Sequence, residues 1–223
     1  MKLKTLLFCS LLALGFVSCG GDDNDDNENG SGSTSTEVIN GHKFVNLGLP
    51  SGTLWAETNV GAKSKSDIGD YYAWGELETK ETYTEENSTW ANTKYNYEFL
   101  LPADDVATQK WGIGVHMPSH YEAQELVDNC EFTWTTVKGQ KGYKITGKNG
   151  NHIFLPAGGY KNKSEHRLSG LECDYWTSSP EGYGGARHIC FDSRYMGTED
   201  EFHIMSSSNP YNGLLIRPVA VMV

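Results

Sequence analysis

The chain has 223 residues, 38% of them hydrophobic and 21% charged, which suits one or at most two domains with a packed core and excludes a wholly disordered or fibrous chain. Its 18 Lys and Arg against 29 Asp and Glu leave a formal charge of −11, so no basic surplus exists to release counterions from a nucleic-acid backbone. Five cysteines, two of them in the first 19 residues, are too few for a disulfide-dense miniprotein, and the fold is expected to rest on packing.

Lys2 and Lys4 precede an apolar run from Leu6 to Val17, which has the length of a signal-peptide core and is too short to span a hydrocarbon layer of about 30 Å. Residues 1–18 are expected to be an export signal that takes Cys9 with it. The run ends Phe16-Val17-Ser18-Cys19-Gly20, which resembles a bacterial lipobox. That resemblance implies a diacylated Cys19 as the mature N-terminus and lasting attachment to a membrane. The alternative is a plain secretory signal followed by an incidental cysteine.

Residues 19–36 run through Asp22-Asp23-Asn24-Asp25-Asp26 and then through Gly, Ser and Thr. Nothing apolar is available there to offset ordering entropy, so a flexible tether is expected. The run lacks the sixth-position Gly of a calcium-binding EF-hand loop and reads as a solvated spacer. Acidic residues directly behind such a cysteine resemble the surface-export signal of lipoproteins from gut Bacteroidota, which implies the outer face of the outer membrane.

From Glu37 no linker interrupts the pattern, and residues 37–223 read as one domain. The segments 43–47 and 53–56 flank Gly48-Leu49-Pro50-Ser51-Gly52 and are expected to form the opening strand pair. A short helix is expected over 103–110, ending before Trp111-Gly112. Ser119 and Glu122 have the spacing of a capping box, and Ala123, Leu126 and Val127 follow on one face, which predicts a helix over 120–129. Short strands follow at 132–137, 142–146 and 152–155, the last two joined across Asn149-Gly150. Further strands are expected at 175–178, 187–191 and 214–219. The fold class is α+β, with two helices on a small, loop-rich antiparallel sheet.

The segments Phe44 to Ala56, Asn59-Val60-Gly61-Ala62 and Gly69 to Glu76 closely resemble a large set of Bacteroidota surface lipoproteins with the fibrobacter-type major paralogous domain, which is related to the C-type-lectin-like fold. Lys110-Trp111-Gly112, His116-Met117-Pro118-Ser119, Ile153 to Gly159, Tyr175-Trp176-Thr177-Ser178-Ser179 and Ile216-Arg217-Pro218-Val219 agree. The resemblance implies a body whose two ends meet and whose long loops present a variable face. Relatives with this fold bind sugars or proteins, or generate formylglycine.

Formylglycine chemistry would need a close cysteine pair, and Cys173 and Cys190 are 17 residues apart. A disulfide between them and two buried free thiols are both open, and Cys130 is read as a core residue. His116 and His120 have the spacing of two metal ligands, but Pro118 and the Ser119 cap lie between them, so no metal site is expected. No cofactor fingerprint, P-loop or nucleophile elbow is present, and a catalytic role has no candidate residues.

Aromatic, irregular segments carry the remaining expectation. Tyr and Arg on loops supply stacking area and directed hydrogen bonds at low entropy cost. Tyr183, Arg187, His188, Tyr195 and Tyr211 are the expected binding face, on a lipid-anchored, surface-exposed module for a glycan or a surface protein. The alternatives are a structural or assembly subunit, such as a fimbrial tip, and a formylglycine-type oxidase.

Overall fold

The computed structural model describes residues 35–182, 184–196 and 202–221, with backbone alone over 202–206. The expected signal peptide, Cys19 and the tether as far as residue 34 lie outside the described residues, as does Tyr183. In chain order the elements are β1 (Thr36–Ile39), β2 (His42–Asn46), β3 (Thr53–Ala56), α1 (Val106–Trp111), β4 (Val115–His116), α2 (His120–Asn129), β5 (Cys130–Val137), β6 (Gln140–Gly147) and β7 (His152–Pro156). They continue with β8 (Tyr160–Asn162), β9 (Glu165–Arg167), β10 (Glu172–Glu181), β11 (Gly185–Asp192), β12 (Phe202–Ser208) and β13 (Val219–Val221). Strands dominate and the two helices are short, which makes this a small α+β fold.

The strands form several sheets where a single one was expected. β1-β2-β3-β13-β4 is five-stranded, β5-β6-β7 and β10-β11-β12 are three-stranded, and β8-β9 is a ribbon. Alternation explains how the five-stranded sheet is covered on both faces. Val45, Trp55 and Val219 are register partners and point into one apolar cluster, together with Ala123 and Leu126 of α2 and with Tyr143, Leu155, Tyr175 and Phe191 from the other sheets. Phe44, Leu54, Ala56 and Ala220 point the other way, into a second cluster with Val106, Ala107 and Trp111 of α1, Trp74 and Trp176.

Three boundaries differ from expectation. The first strand is β1, not the 43–47 segment; it pairs with β2 in register Thr36↔Val45 to Ile39↔His42, so the folded body starts inside the expected tether. The first helix starts later, because Asp105 caps it by accepting from Thr108 N at 3.0 Å, and it extends through Trp111. Trp111 continues the helix because its ring is buried, stacked on His42 at 3.7 Å between centroids. The 214–216 segment makes isolated bridges to Tyr72 and Tyr175, and the last strand starts only at Val219.

The helix at 120–129 is as expected. Ser119 Oγ accepts from Glu122 N, and Glu122 Oε2 accepts from Ser119 N at 2.8 Å, so the cap is closed in both directions.

Candidate ligand-binding site

The start of α2 forms one wall of a cleft of about 470 Å³. Its floor is Ser178 of β10, where two loops are tied down: Leu100 N donates to Ser178 O at 2.7 Å, and Ser178 N donates to Pro118 O at 2.8 Å. Phe99 and Leu100 form an apolar wall, while Asp105, His116, Ser119 and Glu122 form a polar one. A concave site with an apolar side and a few convergent polar groups is the usual form of a small-ligand pocket.

The polar wall is braced from behind. Asp105 is buried and accepts from Met117 N at 2.9 Å as well as from Thr108 N as the cap of α1, and burial raises its pKa. His116 Nε2 and Glu122 Oε1 are 3.1 Å apart. Burial works against the charge of His116, but the Glu122 carboxylate and Asp105 together raise its pKa above the ordinary 6.5. Burial likewise opposes the Glu122 charge, yet bonds from His116 and Ser119 leave its pKa below the ordinary value. A negative charge is therefore held at the cleft wall beside a histidine ready to take a proton.

The rim is aromatic. His120 and Tyr121 have ring centroids 3.8 Å apart, and Phe99 stands edge-on to Tyr121 at 6.3 Å. Tyr121 is 60% exposed. His120 Nδ1 is held against Ser179 Oγ at 2.8 Å, and burial, then the charge of Arg187, lowers its pKa. The loop leading into Phe99 is scaffolded by an edge-to-face series, Trp74 to Trp90, Trp90 to Tyr95 and Tyr95 to Tyr97, that ends at the 57% exposed Tyr97. Tyr95 also hydrogen-bonds, accepting from Leu101 N at 2.7 Å.

The residues singled out from sequence that the structure describes each have their own local surroundings. Arg187 and His188 are neighbours on β11 and take opposite faces; Arg187 pairs with Glu181 at 2.8 Å, while His188 is buried 3.7 Å from Asp174. Tyr195 is exposed beyond the end of β11, with the Arg194 guanidinium over its ring at 5.8 Å. Tyr211 is half-buried in a loop tied down by Trp74 N donating to Pro210 O at 2.8 Å and by Asn212 Nδ2 donating to Ser208 Oγ at 2.8 Å. The buried His188 is therefore withdrawn from the expected binding face. His116 and His120 have separate partners, as the intervening cap implies.

Cys130, Cys173 and Cys190 are free thiols. Cys173 opposes Phe191 in the β10–β11 register and enters the core, whereas Cys190 opposes Asp174 on the other face, so the Cys173–Cys190 disulfide does not form. The same separation removes the close dithiol that formylglycine chemistry would need. Cys130 is half-buried at the start of β5, packed against the first cluster.

The Cys190 face of the β10–β11 ribbon carries a second polar group. Glu172, Asp174 and Trp176 alternate along β10 opposite Asp192, Cys190 and His188 of β11. Arg194 closes one end, bonding to Glu172 and to both oxygens of Asp192. Asp174, His188 and Cys190 each turn one donor atom inward, all within 4.8 Å of one another. Sequence reading passed over this group, although His188-x-Cys190 is the i, i+2 pattern that places two donors on one strand face.

No family model, curated protein or solved structure matches the chain.

Proposed function

We propose that the chain is a lipid-anchored, cell-surface module with a C-type-lectin-like body that binds a glycan in the cleft at the start of α2. The observation that carries the reading is the half-buried Phe99 ring together with the fixed carboxylate of Glu122 and the His116 imidazole in one cleft, with the exposed Tyr121 ring standing beside Phe99. Aromatic faces stack on the apolar faces of sugar rings, and carboxylates and imidazoles take hydrogen bonds from sugar hydroxyls. The lipobox at Cys19, the acidic tether and the motif resemblance support the address and the body. Ser119 Oγ donates to Glu122 Oε2 at 2.8 Å as part of the helix cap, and binding, not turnover, is the role proposed for the cleft.

A glycan array probed with the chain, with and without calcium, tests the reading. A specific hit that is lost in Phe99→Ala and Tyr121→Ala supports it. A hit unaffected by both substitutions moves the site elsewhere, and silence in both conditions favours an assembly subunit whose partner is a protein.

A further inference from the structure

We propose that Asp174, His188 and Cys190 form a zinc site on the face of the β10–β11 ribbon opposite Cys173 and Phe191. Strand alternation assembles it: Asp174 lies directly across from Cys190, and His188 precedes Cys190 by two residues on the same face. One oxygen, one imidazole nitrogen and one sulfur constitute a borderline donor set that suits zinc, whereas calcium and magnesium take oxygen ligands throughout. The donors lie within 4.8 Å of one another, and His188 Nε2 is 3.7 Å from Asp174 Oδ1. Tetrahedral zinc with bonds of about 2.0–2.3 Å sets neighbouring donors roughly 3.4–3.7 Å apart. The nitrogen–oxygen pair is a few tenths of an ångström wider than zinc's shorter bonds need, and the sulfur lies no more than 4.8 Å from either atom, so small side-chain rotations complete the set.

A second observation points to a missing cation. Asp174 is 2% exposed, and its Oδ2 lacks a hydrogen-bond partner, although Glu172 and Cys190 stand within bonding reach of the carboxyl. Arg194 engages the flanking Glu172 and Asp192, which leaves Asp174 as the carboxylate of the row without a bond from that guanidinium. A buried carboxylate oxygen without a partner carries its whole desolvation cost. Zinc takes cysteine as the thiolate, so binding releases the Cys190 proton to solvent, and the ion's two positive charges offset the carboxylates of this face. Cys190 is only half-buried, which leaves a route in from solvent.

Titration of the chelator-treated full chain with cobalt(II) is the test. Thiolate-to-cobalt charge-transfer absorption that saturates at one equivalent, is displaced by zinc, disappears in Cys190→Ser and persists in Cys130→Ser is the expected result. Asp174→Asn keeps the side-chain shape while removing the carboxylate donor, and a melt of the metal-free variant checks that the fold is kept. Its zinc affinity falls by at least the roughly 100-fold that even a supporting residue can contribute to a metal site. Absence of the absorption, its persistence in Cys190→Ser, an unchanged zinc affinity in Asp174→Asn, or a melting shift with calcium and none with zinc would each overturn the assignment.

Discussion

Arg217 Nε donates to Asn59 Oδ1 at 2.7 Å, joining two segments 158 residues apart in the chain. The guanidinium is fully buried and finds no carboxylate there: it also donates to the carbonyls of Ala56, Glu57 and Phe154 at 2.8–3.1 Å. Burial lowers its pKa to about 10. One side chain thereby joins the end of β3, the middle of β7 and the loop at Asn59 around a planar fork that only arginine offers. Arg217→Met keeps the volume but strands these acceptors, each costing about 1–3 kcal/mol. We expect a net loss of about 3 kcal/mol or more in urea unfolding, with Arg217→Lys recovering only part of it. A methionine variant as stable as the parent would show that relief of the buried charge cancels the lost bonds.

The His116–Glu122 pair makes stability depend on pH in two directions. The His116 pKa is above 6.5 in the fold, so its contribution is complete below pH 6.5 and is lost as pH rises through the folded value. The Glu122 pKa is below 4.5, so its contribution is present above pH 4.5 and is lost as pH falls through the folded value. Stabilisation by the pair is therefore greatest between these limits. The His116 side chain is 37% exposed, and solvent screening keeps the effect small. Urea midpoints measured from pH 6.5 upward should decline in the parent and decline less in His116→Gln; parallel curves would remove the pair from the account.

Gly159 is held by two constraints at once. Its φ is +58°, and a Cβ there would lie 2.0 Å from Arg167 O, at the close of the β8–β9 ribbon. Gly170 has φ +77° with open space around it. Gly170→Ala should cost only the left-handed strain, about 1–2 kcal/mol, and Gly159→Ala clearly more, because backbone must move. Equal losses in thermal melts would mean that the ribbon yields freely.

The three described thiols should remain thiols and react slowly. Cys173 is fully buried and donates to Leu155 O at 3.3 Å, and burial raises the Cys130 pKa to about 11. Mass spectrometry after iodoacetamide treatment at neutral pH should find Cys173 unlabelled until urea unfolds the chain. A Cys173–Cys190 cross-linked peptide would contradict the opposed faces of the ribbon.

Local chemistry was legible in the sequence wherever one segment sufficed. The Ser119/Glu122 box marked the second helix to the residue, and the Gly48–Gly52 turn marked the β2–β3 pair. β1 was passed over although Asn40-Gly41, both at positive φ, is a hairpin turn of the same kind as Asn149-Gly150; the strand beside it is half polar and follows a Ser/Thr run. The ribbon β8–β9 and strand β12 are too short or too polar to stand out from loops. The cleft was illegible for a different reason. Phe99, His116 and Ser178 meet only because β10 ties two distant loops together, and pairing across such distances has no local signature. Arg187 and His188 show the same limit: strand alternation separates neighbours that look equivalent in a row of letters.

The position of β1 sets how the folded body responds to force. It is an edge strand of four residues, paired only with β2, and the chain enters it at Thr36. Tension arriving from the preceding residues meets the Thr36↔Val45 pair first and then the next three in turn, so the bonds are peeled one by one and do not resist together. β2, β3 and β13 lie further in, between two apolar clusters. The hairpin thus acts as a mechanical fuse: pulling lengthens the lead by a few residues at low force before the rest of the fold, with the cleft at the start of α2, carries any strain.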